Sequence, residues 1–190
     1  MEKLASPSVV RHSLPEELRT SPPAALGAVR FSGCGSYRWW LQRLWRPDQP
    51  RLLFIGLNPS RGDARRDDPT LRRLVRFARD GGYGGLEVVN LFSAVASRPE
   101  RLRSLAEPIG GRTDAWIRRR AGAPEIQAIW LGWGNRGAWW QRDRQVLALL
   151  CRAGRGKPWL MLGTTSRGQP RHPLYVPAAM PWQPWSPAAS

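Results

Sequence analysis

The chain has 190 residues, 42% of them hydrophobic, and a formal net charge of +16 with a pI near 11.6. That length supports one domain with a substantial core and excludes two large ones, and the charge points to an anionic partner, nucleic acid first. Two cysteines, Cys34 and Cys151, and two histidines, His12 and His172, exclude a zinc ribbon or an iron-sulfur cluster built on about four protein ligands.

Residues 1 to about 30 mix proline, serine, alanine and scattered charges without periodicity and read as a flexible or irregular N-terminal segment, with Ser21-Pro-Pro-Ala-Ala as linker. Residues 31–190 then form a single α/β domain. Tyr37, Trp40, Leu41, Leu44 and Trp45 recur at helical spacing and predict an amphipathic helix ended by Arg46-Pro47. Leu52 to Leu57 is a short apolar run suited to a strand covered on both faces. It breaks off at a polar loop carrying Asn58, Pro59, Ser60, Asp63, Asp67 and Asp68, where ligands of open α/β sheets collect. Asp68-Pro69 reads as an N-cap followed by proline at the first helical position.

The helix that follows buries Leu71, Leu74, Val75 and Ala78 and is closed by Gly81-Gly82. Its other face carries Arg72, Arg73, Arg76 and Arg79, either a solvated face or a phosphate-facing stripe. Leu86 to Phe92 is the second strand, interrupted by Asn90, whose amide must find partners in a loop or on a ligand edge. A short helix is expected over Pro99–Leu105, and another starts at Thr113 or Asp114 and carries Trp116 and Ile117. Glu125 to Trp133 is the third strand, ending in the glycine-rich turn Gly132-Trp-Gly-Asn-Arg-Gly137. Trp139–Cys151 predicts a helix with Trp140, Leu147, Leu150 and Cys151 inward. Lys157 to Gly163 is the fourth strand, followed by a basic loop from Thr164 to Tyr175 that contains His172, and by a Pro/Trp-rich end expected to wrap the surface.

Four strands separated mostly by helices predict a three-layer α/β/α sandwich with a four-stranded, mainly parallel sheet. Every polar cluster follows a strand, which gathers them on one rim. With no signal peptide and no apolar run of membrane-spanning length, the expectation is a cytoplasmic monomer with no membrane partner.

The order of motifs resembles the uracil-DNA glycosylase superfamily over residues 51–177: Gly56-Leu-Asn-Pro59 after the first strand, Val88-Val-Asn-Leu91 at the second, Gly132-Trp-Gly-Asn135 after the third and Arg171-His-Pro-Leu174 after the fourth. The wording Gly-Leu-Asn-Pro-Ser, Asp-Asp-Pro-Thr and Gly-Gln-Pro-Arg-His-Pro-Leu-Tyr is also similar to a bacterial and phage family of uncharacterised domains. The first resemblance implies a DNA glycosylase that extrudes a base from DNA and hydrolyses its N-glycosidic bond without a cofactor or metal. In that reading Asn58 orients the attacking water, Asn90 bonds the base edge, and His172 stabilises charge on a base oxygen.

Further roles follow from the same likeness. Gly56, Pro59 and Ser60 hold the sugar and flanking phosphate, Gly134, Asn135 and Arg171 lie at the turns around the base, and Leu174 and Tyr175 stand where the family inserts a wedge. Phe92, Tyr83 and Trp133 are the choices for an aromatic that stacks on the flipped base. Asn58 stands where the fastest members carry Asp, as in mismatch-directed members, and an amide is not a base; Asp63, Asp67 or Asp68 would then assist catalysis. The alternatives are a non-catalytic nucleic-acid or nucleotide binding module on the same fold and a hydrolase of free nucleosides.

Overall fold

The apolar run Arg51–Gly56 is a strand in which Leu52, Leu53, Phe54 and Ile55 are all buried, as covering on both faces requires. It lies in the middle of a computed structural model that describes residues 26–59 and 67–186. The described strands are β1 (Leu26–Phe31), β2 (Arg38–Leu44), β3 (Arg51–Gly56), β4 (Gly85–Asn90), β5 (Ile126–Leu131), β6 (Trp159–Met161) and β7 (Gln183–Pro184). They form one mixed sheet in the order β1-β2-β4-β3-β5-β6-β7. Pairings β4–β3, β3–β5 and β5–β6 are parallel, whereas β1–β2, β2–β4 and β6–β7 are antiparallel. The fold is α/β, but the sheet is not the four-stranded one expected, because segments with no clean strand signature extend both of its edges.

Alternate strand residues divide the core between the two faces. Leu52, Phe54, Leu86 and Val88 pack with Leu71, Leu74 and Phe77 of helix α1 (Pro69–Asp80). On the other face Leu53, Ile55 and Val89 meet Ile117 of α2 (Thr113–Ala121) and Val146 and Leu150 of α3 (Arg142–Ala153). The one acid inside this apolar sheet, Glu87 of β4, is fully buried and accepts from Arg120 Nε at 2.5 Å, Trp40 Nε1 at 2.7 Å and Arg51 Nη1 at 3.3 Å. A carboxylate so enclosed needs such partners, because desolvation of an unpaired charge would cost several kcal/mol.

The helix expected over Tyr37–Trp45 is instead strand β2, in register with β4 through Leu41 and Val88. A seven-residue stretch rich in tryptophan satisfies a helical stripe and a strand alternation equally well. Pairing decides: Leu41 and Arg43 face α1, while Trp40 and Gln42 reach Glu87 on the opposite face. Strand β1 overlaps the segment read as irregular; the proposed linker at Ser21 lies outside the described residues.

Helix α3 begins at Arg142 rather than Trp139. Trp139 has ψ 130°, and Trp140 and Gln141 have positive φ of 52° and 56°, so no helix passes through them. Trp140 and Cys151 are exposed rather than inward, and Val146 joins Leu150 in the core. The C-terminal stretch does more than wrap the surface: β7 pairs with β6, and Trp182 meets Trp130 edge-on with centroids 4.7 Å apart. Among the described residues no helix is long and apolar enough to cross a membrane.

Candidate functional site

The loops beyond the carboxyl ends of β3, β4, β5 and β6 enclose a cavity of about 760 Å³. Asn58, Asn90 and His172, far apart in the sequence, all line it. So do Gly56, Gly134, Asn135, Arg171 and Tyr175.

The parallel pairing of β3 with β4 sets Gly56 beside Asn90. A Cβ on Gly56 would stand 2.9 Å from Asn90 Oδ1 and 2.8 Å from Phe54 Cε1, so only glycine leaves the Asn90 amide its place. Asn90 is 3% exposed, yet its side chain bonds to no described residue. A side-chain amide with no protein partner bonds to water or to a ligand, and here it faces the cavity.

Asn58 differs. Its Nδ2 donates to Pro59 O at 3.0 Å and to Ala96 O at 2.8 Å, which fixes the loop and leaves Oδ1 as the acceptor. His172 Nδ1 accepts from the backbone N–H of Leu174 at 3.2 Å, which assigns the neutral ring's proton to Nε2. Burial pushes the His172 pKa down to about 4, against an opposing pull from Asp68. At neutral pH it is therefore an uncharged N–H donor. Gly134 has φ 69°, a conformation that favours glycine, and a Cβ there would stand 4.0 Å from His172 Cβ.

Among the described residues, four that bear a guanidinium, Arg38, Arg136, Arg167 and Arg171, share the lining with one carboxylate, Asp68. Arg38 is 6% exposed and cationic at neutral pH, its pKa lowered to about 10 by burial and partly restored by Asp68. Its place in the cavity depends on a β-bulge: β1 pairs Arg30 with Trp40 and Phe31 with Arg38, leaving Trp39 as an extra residue. Simple alternation would turn Arg38 away from the face that Leu41 and Arg43 share; the bulge turns it back.

Several expected residues are elsewhere. Asp67 does not line the cavity; Arg43 grips its Oδ1 through Nε at 2.8 Å and Nη2 at 2.7 Å, so this carboxylate is spent on holding β2 to the start of α1. Phe92 is wholly buried against Trp140, at 5.5 Å between ring centroids, and belongs to the core on the far face of the sheet. Pro59 is buried behind Asn58, and Leu174 is exposed beside the cavity rather than in it. Ser60 and Asp63 lie outside the described residues. Of the stacking choices, Trp133 lines the cavity, its indole N–H held by Gln169 Oε1 at 2.7 Å, and Gln169 is held in turn by Asp143.

The lining residues missed from sequence are Arg38, Arg136 and Arg167, whereas Asp68, expected in the ligand loop, does line the cavity. Arg38 was hidden by the helical reading of its strand; Asp68 also performs the expected N-cap role, accepting from Leu71 N at 2.7 Å. The arginines of α1 are neither solvated nor phosphate-facing as a set. Arg73 Nε donates to Pro173 O at 2.8 Å and its Nη2 to Val176 O, Arg79 lies 4.8 Å over the Trp45 ring, and Arg76 pairs with Asp80. Among the described residues no group of three or more His, Cys, Asp or Glu is arranged to hold a metal ion.

No curated protein and no solved structure matches the chain. A family model described as "Protein of unknown function (DUF1643)" matches residues 38–174, a span that opens at Arg38 and closes just beyond His172. The match covers well over half of the sequence, and the chain belongs to that family.

Proposed function

We propose that the protein is a DNA glycosylase-like enzyme that takes one extruded nucleotide into the cavity and hydrolyses its N-glycosidic bond. The observation that carries this reading is the meeting of Asn58, Asn90 and His172 around one hollow, with the Asn90 amide free of protein partners and open to the cavity. A base inside a duplex hides its edges and its sugar carbon, so the nucleotide must leave the stack before any of these groups can reach it. The Asn90 amide offers one donor and one acceptor group to the edge of the base. As the bond breaks, electrons pass to the base and positive charge grows on the sugar; the His172 Nε2–H meets the oxygen on which negative charge accumulates. Arg38 adds a buried positive charge to the same hollow. Asn58 Oδ1, its amide nitrogen occupied, accepts from the attacking water and fixes its direction.

Oligonucleotides carrying uracil, mismatched thymine, hypoxanthine or modified pyrimidines test this directly. Incubation should yield abasic sites, read as strand breaks after alkali, and Asn90→Ala should slow formation about 10²-fold while leaving the melting temperature nearly unchanged. Absence of product from every substrate would remove the catalytic claim.

One feature favours a second reading, a binding module without turnover. Asn58 cannot act as a base, and Asp68, the carboxylate that lines the cavity among the described residues, is engaged as a helix cap. That reading predicts saturable, salt-sensitive DNA binding with no abasic product.

A further inference from the structure

An exposed aromatic patch around Trp140 shares Arg136 with the cavity lining. Between the glycine-rich turn and α3, Trp140 and Gln141 occupy the left-handed region at φ 52° and 56°, where residues other than glycine are strained. The strain does not serve to bury Trp140, which remains 49% exposed. Phe92 and Trp139 meet its ring edge-on, with centroids 5.5 Å and 6.0 Å away, so the indole is held in position while half of it faces solvent. Around it stand Arg103 and Arg136, with Glu100 paired to Arg136. Arg103 and Arg136 lie over the Trp139 ring at 5.4 Å and 5.9 Å. Arg136 and Pro99 also line the cavity, so the patch and the cavity share a rim.

We propose that Trp140 is a stacking platform for an unpaired nucleobase of single-stranded DNA, adjacent to the nucleotide that enters the cavity, with Arg103 and Arg136 holding the backbone phosphates. The proposal rests on the glycosylase-like reading of the cavity and adds a preference for single strands to it. An aromatic face accepts any base, and flanking guanidinium groups supply the charge for its phosphates, which is how single strands are held without sequence selection. A duplex keeps its bases stacked on one another and offers none to Trp140.

The test is fluorescence anisotropy of labelled oligothymidylate, of the corresponding duplex and of oligouridylate, at low salt, with the full chain. The wild type should bind the DNA single strand more tightly than the duplex. Trp140→Gly should weaken single-strand binding roughly tenfold. Because glycine tolerates φ 52°, the same variant should keep or raise the melting temperature, which removal of a purely structural tryptophan would lower. Trp140→Phe should retain most of the affinity, and Arg103→Glu, a change on an exposed side chain, should weaken binding several-fold. Unchanged affinity in Trp140→Gly and Arg103→Glu, or equal binding of duplex and single strand, would overturn the proposal; tighter binding of oligouridylate would overturn the assignment to DNA. A wild type that binds oligothymidylate through Trp140 but yields no abasic site from any of the damaged or mismatched substrates would sink the catalytic reading and leave the platform standing.

Discussion

His172 shows how much one side chain can be tuned by its surroundings. Its Nδ1 is committed to a backbone N–H and burial holds its pKa near 4, well below the ordinary 6.5, so the ring stays neutral in the folded state. The unfolded chain binds a proton near pH 6.5 and the folded chain only near pH 4. Stability from this group is therefore complete above pH 6.5 and is lost as the pH falls toward 4. Melting temperatures measured across that window should fall more steeply for the wild type than for His172→Gln, and the imidazole resonance that disappears in the variant should show no titration above about pH 5. A midpoint near 6.5 for that resonance would contradict the burial argument. Asn90 is the complementary case, a group whose identity is legible in the sequence but whose lack of a partner is not.

At the level of elements, α1 does two jobs. Its apolar side closes one face of the sheet, and Arg73 reaches across to the carbonyls of Pro173 and Val176, pinning the segment that follows His172. Asp68 secures the start of the same helix. Arg73→Ala leaves two carbonyls without their charged donor and should cost about 1–3 kcal/mol, seen as a lower urea midpoint with an unchanged slope. It should also loosen His172, so substrate turnover or binding should fall by more than stability alone accounts for. Strand β2 carries the opposite lesson. Its residues fit a helix locally, and pairing with β4, the capture of Glu87 by Trp40 and Gln42, and the bulge at Trp39 override that fit. The bulge then decides which face Arg38 serves.

For the whole molecule, the net charge of +16 is distributed unequally in function. Arg43, Arg51, Arg73, Arg120 and Arg142 hold other elements of the fold together; Arg136, Arg167 and Arg171 stand on the cavity rim, Arg136 paired there with Glu100. Affinity for DNA should therefore fall linearly with the logarithm of salt concentration, and Arg167→Ala should reduce that slope by about 1, one phosphate contact. By itself the sequence determined the α/β class, the apolar runs that became β3, β4, β5 and β6, the capped start of α1, and the residue types that line the cavity at Asn58, Asn90 and His172. Those features are written in neighbouring residues: an unbroken apolar run, an N-cap before proline, a polar residue at a strand's end. The tertiary structure alone decided that Arg43 would hold Asp67 away from the cavity, that Phe92 would sink into the far core, and that Arg38 would enter the cavity and Trp140 stand exposed. Each of those outcomes depends on which partner lies opposite, a bulge in one strand, a guanidinium from another, an aromatic ring across the sheet, and no local pattern of residues encodes who that partner will be.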